Sequence, residues 1–212
     1  MDENNILPVV LAGGKSKRFG GNKAKAKLGE YSLLEHTIAK LKKNFSEILI
    51  ITNEDNNKVL SNIFYSKDVL RGQLGPLVGV LSSMEWIVNH SRKYNWVMTF
   101  PCDTPFFKNE IINKLINVQK KSKKKLFFLK SGKQRHNIFG LWSINLKDQL
   151  RSDLEAGYRK VEEWSNKIGA EIIELDFKDD NTFLNINTKK DLEKATKKKF
   201  NDLIFKSTFG IK

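Results

Sequence analysis

A six-residue apolar run, Ile6-Leu7-Pro8-Val9-Val10-Leu11, breaks directly into Ala12-Gly13-Gly14, and this junction constrains the fold of the 212-residue chain more than any other stretch. A run this short with no polar alternation reads as a strand buried on both faces, and such strands belong to parallel sheets covered by helices. The glycines place a loop at the strand's carboxyl end. The pattern recurs. Residues 47–53 and 95–100 read as buried strands, Ile63-Phe64-Tyr65 as a short one, and 126–129, 138–144 and 171–175 as three more. Helical segments fall between them. The first covers 33–44 behind Ser32 as its cap, with Leu34, Ile38 and Leu41 at helical spacing. Others open at Gly75-Pro76 and run towards Val88, then cover 109–121, 146–156, 161–168 and 189–199. Strands alternating with helices predict an α/β fold with a mainly parallel sheet. No repeat and no Pro- or Ser-rich linker divides the chain, so a single domain is expected, with a core over 6–199; residues 200–212 stay unassigned.

Composition removes several classes of function. Hydrophobic residues make up 40% of the chain, which excludes disorder as the default. No apolar run approaches the roughly 20 residues of a membrane helix. The start, Met1-Asp2-Glu3-Asn4-Asn5, lacks the layout of a secretory signal, and the lone Cys102 has no internal disulfide partner. These features predict a cytoplasmic protein without a membrane partner. The formal net charge of +14 is mostly scattered lysine, densest in Lys120-Lys121-Ser122-Lys123-Lys124-Lys125 and Lys197-Lys198-Lys199. Neither run is interleaved with aromatics, so both read as solvated faces rather than a nucleic-acid platform.

In a sheet of this kind ligands sit beyond the carboxyl ends of the strands. Three segments fall there: 12–23, 52–55 and 101–105. The first loop holds four glycines, Gly13, Gly14, Gly20 and Gly21, with Lys15, Lys17, Arg18 and Lys23 among them. Glycines let backbone N–H groups approach a ligand, and the cations suit a triphosphate. A Walker loop is excluded, because Val9 stands where its first glycine belongs, and the dinucleotide pattern G-x-G-x-x-G is absent. Asp103, at the end of a buried strand, is a natural magnesium ligand, although a lone aspartate there also suits a cap or turn. Cys102 reads as a packing residue, since no histidine lies near it in sequence. Asn185 and Asn187 alternate on an extended stretch, so both point the same way; read alone, they are turn and cap residues.

Residues 11–23, Leu-Ala-Gly-Gly-Lys-Ser-Lys-Arg-Phe-Gly-Gly-Asn-Lys, resemble the signature loop of the molybdenum cofactor guanylyltransferase family, roughly L-A-G-G-x-S-x-R-M-G-x-D-K. Phe19 replaces the usual Met and Asn22 the usual Asp, while Lys23 keeps the lysine position. Pro101-Cys102-Asp103-Thr104-Pro105 matches the family's P-C-D-T-P, and Gly75-Pro76-Leu77-Val78-Gly79 its G-P-L-x-G. Leu184-Asn185-Ile186-Asn187-Thr188 resembles N-x-N-T-P-x-D, with Lys189 in place of proline. Weaker matches are Arg135-His136-Asn137-Ile138, where the third position is usually proline, and Ala156-Gly157-Tyr158-Arg159-Lys160-Val161. The likeness covers about residues 6–195, and the four main motifs in this order make it specific.

The resemblance implies a Rossmann-like three-layer nucleotidyltransferase fold and transfer of GMP from GTP to the phosphate of molybdopterin. It implies Mg2+ on Asp103, and Arg18 and Lys23 on the phosphates. Leu11, Ala12, Gly13 and Gly14 would hold the nucleotide through backbone groups. Asp68, seven residues before Gly75, matches an aspartate of the nucleotide site; Asn53, Gly75 and Gly79 fall beside it. On the pterin side it places Asn185, Asn187, Arg135 and Arg159, with Lys160 nearby, although each of these charges is equally a solvated one. Other cofactor-biosynthesis proteins and acceptor molybdoenzymes follow as partners. Three alternatives stay open: a relative using CTP or a sugar phosphate, a basic nucleic-acid-binding module, and a nucleotide sensor without turnover. Leu-Ala-Gly-Gly favours guanine over the Leu-Ala-Ala-Gly of cytidylyl relatives.

Overall fold

The computed structural model describes residues 5–14, 18–54, 60–70, 72, 75–176 and 181–197. Lys15, Ser16 and Lys17 of the first loop, Lys198 and Lys199 of the last expected helix and the stretch 200–212 lie outside the described residues. β1 (Ile6–Leu11) is followed by a 3-10 turn over Lys23–Lys25, then a small hairpin of β2 (Lys27–Leu28) and β3 (Tyr31–Ser32). The chain continues through α1 (Leu33–Leu41), β4 (Ile48–Ile51), β5 (Ile63–Ser66), α2 (Pro76–Asn89), β6 (Trp96–Pro101) and α3 (Glu110–Gln119). It ends with β7 (Leu126–Ser131), β8 (Gln134–Ser143), α4 (Lys147–Glu155), α5 (Val161–Ile168), β9 (Glu171–Leu175) and α6 (Lys189–Lys197).

The main sheet runs β5-β4-β1-β6-β8-β7-β9. Its pairs are parallel except where β8 lies antiparallel between β6 and β7. The expectation of an α/β fold with a mainly parallel sheet is met. β8 begins at Gln134, four positions before the expected strand, because the polar stretch 134–137 pairs with the end of β7.

Period-2 alternation sorts each central strand between two cores. Val10, Ile48, Ile50, Met98 and Phe100 pack with α1 and α3 on one face. Leu7, Val9, Leu49, Ile51 and Val97 pack with α2, α4 and α5 on the other. Both faces of the sheet are therefore covered, as apolar runs without alternation require. Ser32 caps α1 in a reciprocal box: its hydroxyl accepts from Glu35 N at 3.2 Å, and Glu35 Oε2 accepts from Ser32 N at 2.8 Å. α1 stops at Leu41, three residues short of the expected end, and continues as a turn.

β1 lies at the sheet's switch point. The chain leaves it for β4 and β5 on one side, then crosses through α2 to β6 on the other. A crevice opens at such a point beyond the strand ends. One irregularity faces that crevice. Phe128 pairs with Gly140 but Leu129 with His136, so Asn137, Ile138 and Phe139 bulge out of the ladder with β7. Thr99 on β6 braces the bulge, donating to Ile138 O at 2.6 Å and accepting from Trp142 Nε1 at 2.9 Å. Gly140 closes it, because a Cβ there would lie 2.7 Å from Phe128 Cε1 and 2.8 Å from Trp142 Nε1. Gly140→Ala is expected to destabilise the fold by about 1–3 kcal/mol through overpacking. Urea denaturation at neutral pH measures it; an unchanged midpoint would contradict the packing described.

Candidate active site

A cleft of about 1220 Å³ lies beyond the carboxyl ends of β1, β4 and β6. It has two walls and a charged floor. Leu11, Ala12, Gly13, Gly14, Asn53, Asp68, Gly75 and Gly79, the residues the resemblance implies for a nucleotide, line one side. Asn53 and Asp68 form a closed pair there. Asn53 Nδ2 donates to Asp68 Oδ2 at 2.7 Å, and Asp68 N donates to Asn53 Oδ1 at 3.2 Å. A Cβ on Gly13 would come within 3.9 Å of both side chains. Gly79 sits where α2 crosses the strand ends, and its Cβ would meet Leu11 Cδ2 at 2.9 Å. Gly75, at φ 73°, begins α2 in a conformation that favours glycine, with Pro76 in the first turn.

The floor joins two of the expected catalytic residues. Lys23 Nζ forms an ion pair and hydrogen bond with Asp103 Oδ2, and donates to Asn187 Oδ1 at 3.1 Å. Their side chains are only 16% and 17% exposed. Thr104 Oγ1 lies 3.3 Å from Asp103 Oδ1 and also donates to Asn185 Oδ1. Ile186 N donates to Asp103 O at 2.8 Å, which fixes the 185–187 segment against the aspartate loop. Asp191, in the first turn of α6, accepts from Asn187 N and Thr188 N at 3.1 and 2.9 Å; the Thr188 hydroxyl first and then these N–H groups hold its carboxyl below the usual range despite some burial. Asn22 N-caps the turn carrying Lys23, its Oδ1 accepting from Lys25 N at 3.3 Å. Its Nδ2 donates to Glu54, which also pairs with Lys25 at 3.2 Å. Cys102 lies beside Asp103 with its thiol pushed up to about 12, first by burial and then by the Asp103 charge, so it stays protonated packing.

The second wall comes from the start of β8 together with Phe183 and Asn185. The His136 ring stacks on Phe183 at 3.5 Å between centroids, and Phe139 meets Phe183 edge-on at 5.3 Å. Arg135 lines this wall, but its guanidinium turns to α5, donating to Ser165 Oγ at 2.9 Å and Asn166 Oδ1 at 3.0 Å. Arg159 does not line the cleft; it donates to the carbonyls of Leu154 and Tyr158 at the end of α4. Lys160 pairs with Glu163 at 2.6 Å, and Arg18 is exposed and outside the lining. Sequence reasoning gave no role to Glu54, Thr104, His136, Asn137, Phe139 or Phe183. His136 and Asn137 were quoted only within a motif match, and nothing in the pattern around Phe183 points to the cleft.

The MobA-like NTP transferase domain family matches residues 8–168. A molybdenum cofactor guanylyltransferase of Haemophilus influenzae (strain 86-028NP) is 33% identical over 192 residues, covering 90% of this chain and 97% of that protein. Among solved structures, the molybdopterin-guanine dinucleotide biosynthesis protein A of Archaeoglobus fulgidus superposes with a TM-score of 0.74 at 18% identity, over 90% of this chain and 97% of that one. The 2-C-methyl-D-erythritol 4-phosphate cytidylyltransferase of Francisella tularensis gives 0.67 at 18% identity, over 90% and 98%. At these identities the two structures establish a shared fold.

The second wall carries a pH dependence. His136 is 7% exposed and shares a 2.7 Å hydrogen bond between Nε2 and Ser131 Oγ. Burial pushes its imidazole from 6.5 down to about 4. The folded value lies below the unfolded one, so between the two the unfolded chain binds more protons. Stability from this group is complete above pH 6.5 and falls as the pH drops towards 4. The loss is on the order of 2–3 kcal/mol. Urea denaturation at pH 7 and 4.5 is expected to show a smaller pH difference in His136→Phe than in the unsubstituted protein; equal differences would refute the assignment.

Proposed function

The chain belongs to the MobA-like NTP transferase family, and on that premise we propose that it transfers GMP from GTP to the phosphate of molybdopterin, releasing pyrophosphate. The observation that carries this reading is the Lys23–Asp103 pair, set on the cleft floor between a glycine-lined wall and an aromatic one. The family match extends to residue 168, and the 181–197 segment returns to Asp103 through Ile186, so we take residues 6–199 as one catalytic domain. We place the reaction in the cytoplasm; among the described residues no helix is long and apolar enough to cross a membrane.

The nucleophile is a phosphate oxygen that is already anionic, so the reaction needs no general base. What remains is positioning and neutralisation of charge. Backbone N–H groups of Gly13 and Gly14 are assigned to the nucleotide, Ala12 N being held by Ile51 O, and the Asn53–Asp68 pair to its base and ribose. Lys23 gives up part of its contact with Asp103 to meet the phosphates as charge develops on the leaving pyrophosphate. Arg18 is assigned to the same phosphates from the outer loop. Asn185 and Asn187 hold Thr104 and Lys23 and thereby orient the floor.

Asp103 fits a magnesium ion: it is a single carboxylate at a strand end, flanked by hydroxyl and amide oxygens. Magnesium takes one or two protein carboxylates and completes its shell with phosphates and water. When bound it would neutralise phosphate oxygens and polarise the attacked phosphorus. With Arg135 turned to α5 and Arg159 to α4, Lys23 is the cation best placed for the acceptor phosphate.

Asp103→Ala and Lys23→Ala are each expected to cut turnover at least a hundredfold while the fold survives, on the order of 2–4 kcal/mol of transition-state stabilisation. Near-normal rates in either variant would sink the mechanism. Calorimetry with magnesium is expected to show GTP binding in preference to CTP and ATP, weakened in Lys23→Ala. Preference for CTP would instead move the chain to a cytidylyl activity.

A further inference from the structure

The short helix α6 (Lys189–Lys197) ends the described chain, and the family match stops well before it, at residue 168. Only Leu192 and Ala195 among its nine residues are apolar, so it is not a helix that would hold alone. Its N-terminus is tied down by a reciprocal box. Asp191 N donates to Thr188 Oγ1 at 3.1 Å, and Asp191 Oδ2 accepts from Thr188 N at 2.9 Å and from Asn187 N at 3.1 Å. One residue back, Ile186 N donates to Asp103 O at 2.8 Å. The backbone of Asn187 is thus fixed from both sides, and its Oδ1 accepts from Lys23 Nζ at 3.1 Å. A second tie runs beside this one. Phe19, Ile186 and Ala195 share a small apolar core with Leu28 and Leu33, and Phe106 and Leu192 pack against it. The loop leading to Lys23, the loop following Asp103 and the 185–187 segment each place one side chain there, and α6 places two.

We propose that Asp191 is a positioning residue for Lys23, acting through Asn187, so that α6 sets where the Lys23 ammonium stands in the cleft. This rests on the guanylyl-transfer reading above, in which Lys23 meets the phosphates. Lys23 has two partners that differ in kind. Asp103 is the charged one, which a cation and phosphates would draw off. Asn187 is neutral, and its amide oxygen can keep one of the three ammonium donors while the others turn to phosphate. An ammonium on a four-carbon stem has many rotamers, so a fixed acceptor narrows where it stands before the reaction starts. That acceptor is only as well placed as its own backbone, and the Asn187 N–H is held by the Asp191 carboxylate. The shared apolar core fixes α6 against the loop that leads to Lys23, so the box and the loop keep one spacing.

The test is a double-mutant cycle on kcat for guanylyl transfer, with Asp191→Ala made in the unsubstituted protein and in Lys23→Ala, run below the thermal midpoint of every variant. In the unsubstituted protein Asp191→Ala is expected to lower kcat about tenfold, the effect of a misplaced reacting group. In Lys23→Ala the same change should alter the remaining rate by less than about twofold, because the group it positions is gone. Asp191→Asn keeps an acceptor oxygen for both N–H groups and should stay within about threefold of the unsubstituted rate. Asn187→Ala leaves the box intact and should reproduce the fall, which keeps the test open if Asp191→Ala loosens α6. A merely structural carboxylate would lower the rate by the same factor in both backgrounds, and that result overturns the proposal. So does an unchanged kcat in Asp191→Ala or in Asn187→Ala. No transfer by the unsubstituted protein with GTP and molybdopterin overturns the guanylyl-transfer reading itself, and the inference with it.

Discussion

The cleft exists because β1 is held on both edges and both faces. It pairs with β6 along its whole length and with β4 over its last three residues, so both edges are paired where the strand meets the cleft. Leu7, Val9 and Val10 are fully buried. The ladder runs one residue past the strand, where Ala12 N donates to Ile51 O at 2.9 Å. The chain then leaves the sheet through Gly13 and Gly14, at a height set by backbone hydrogen bonds. α2 is fixed to the same end of the strand by contact, since Gly79 packs where any side chain would strike Leu11. The glycine-lined wall is therefore located by the geometry of the sheet and one close helix crossing, independently of the charges placed on it.

Those charges are satisfied within the cleft. Asp103 has Lys23, Asp68 has Asn53, and Glu54 has Asn22 and Lys25. Among the described residues the cleft's carboxylates are thus paired, and a polyanionic ligand would enter by exchanging partners rather than by filling an unpaired field. Asn22 shows how a departure from the family pattern is absorbed. An aspartate could cap the 3-10 turn equally well, because capping needs only an acceptor. It could not also donate to Glu54 as the amide does. Two carboxylates would face each other there, so the asparagine and the glutamate form one arrangement.

Much of this was legible in the sequence, for reasons that differ by element. The central strands announced themselves because burial on both faces leaves an unbroken apolar run. α1 did so through Ser32, whose capping box the structure contains in both directions. Gly13, Gly14, Lys23, Asn53, Asp68, Asp103 and Asn185 all reach one cleft. The arginines were less legible. Arg135 and Arg159 carry the right charge in the right segments, but sequence gives no direction for a guanidinium on a long side chain. One lies against α5, and the other meets carbonyls at the C-terminal end of α4, where a cation is favoured by the helix dipole. The start of β8 was hidden because Gln134-Arg135-His136-Asn137 has no apolar alternation. Only its pairing with Leu129, Lys130 and Ser131 makes it a strand. The His136–Phe183 stack joins residues far apart in the chain, and one sequence cannot show that contact.

The direction of β8 explains why the two walls differ in kind. Parallel strands bring their carboxyl ends to the crevice, so β1, β4, β5 and α2 contribute loops and a helix start. β8 runs the other way, and its first half is therefore strand where it lines the cleft. Side chains on a paired strand are positioned more closely than those on loops. The bulge takes three successive residues out of the β7 ladder at the cleft without ending the strand, and Thr99 and Gly140 hold it in that shape. A loop wall can adjust around a triphosphate, whose recognition is mostly backbone and charge. A strand wall suits a partner read by the shape and edge of a rigid ring. Inserting one antiparallel strand beside a parallel sheet thus supplies both kinds of surface to a single cleft, which a reaction joining a nucleotide to a chemically different acceptor requires.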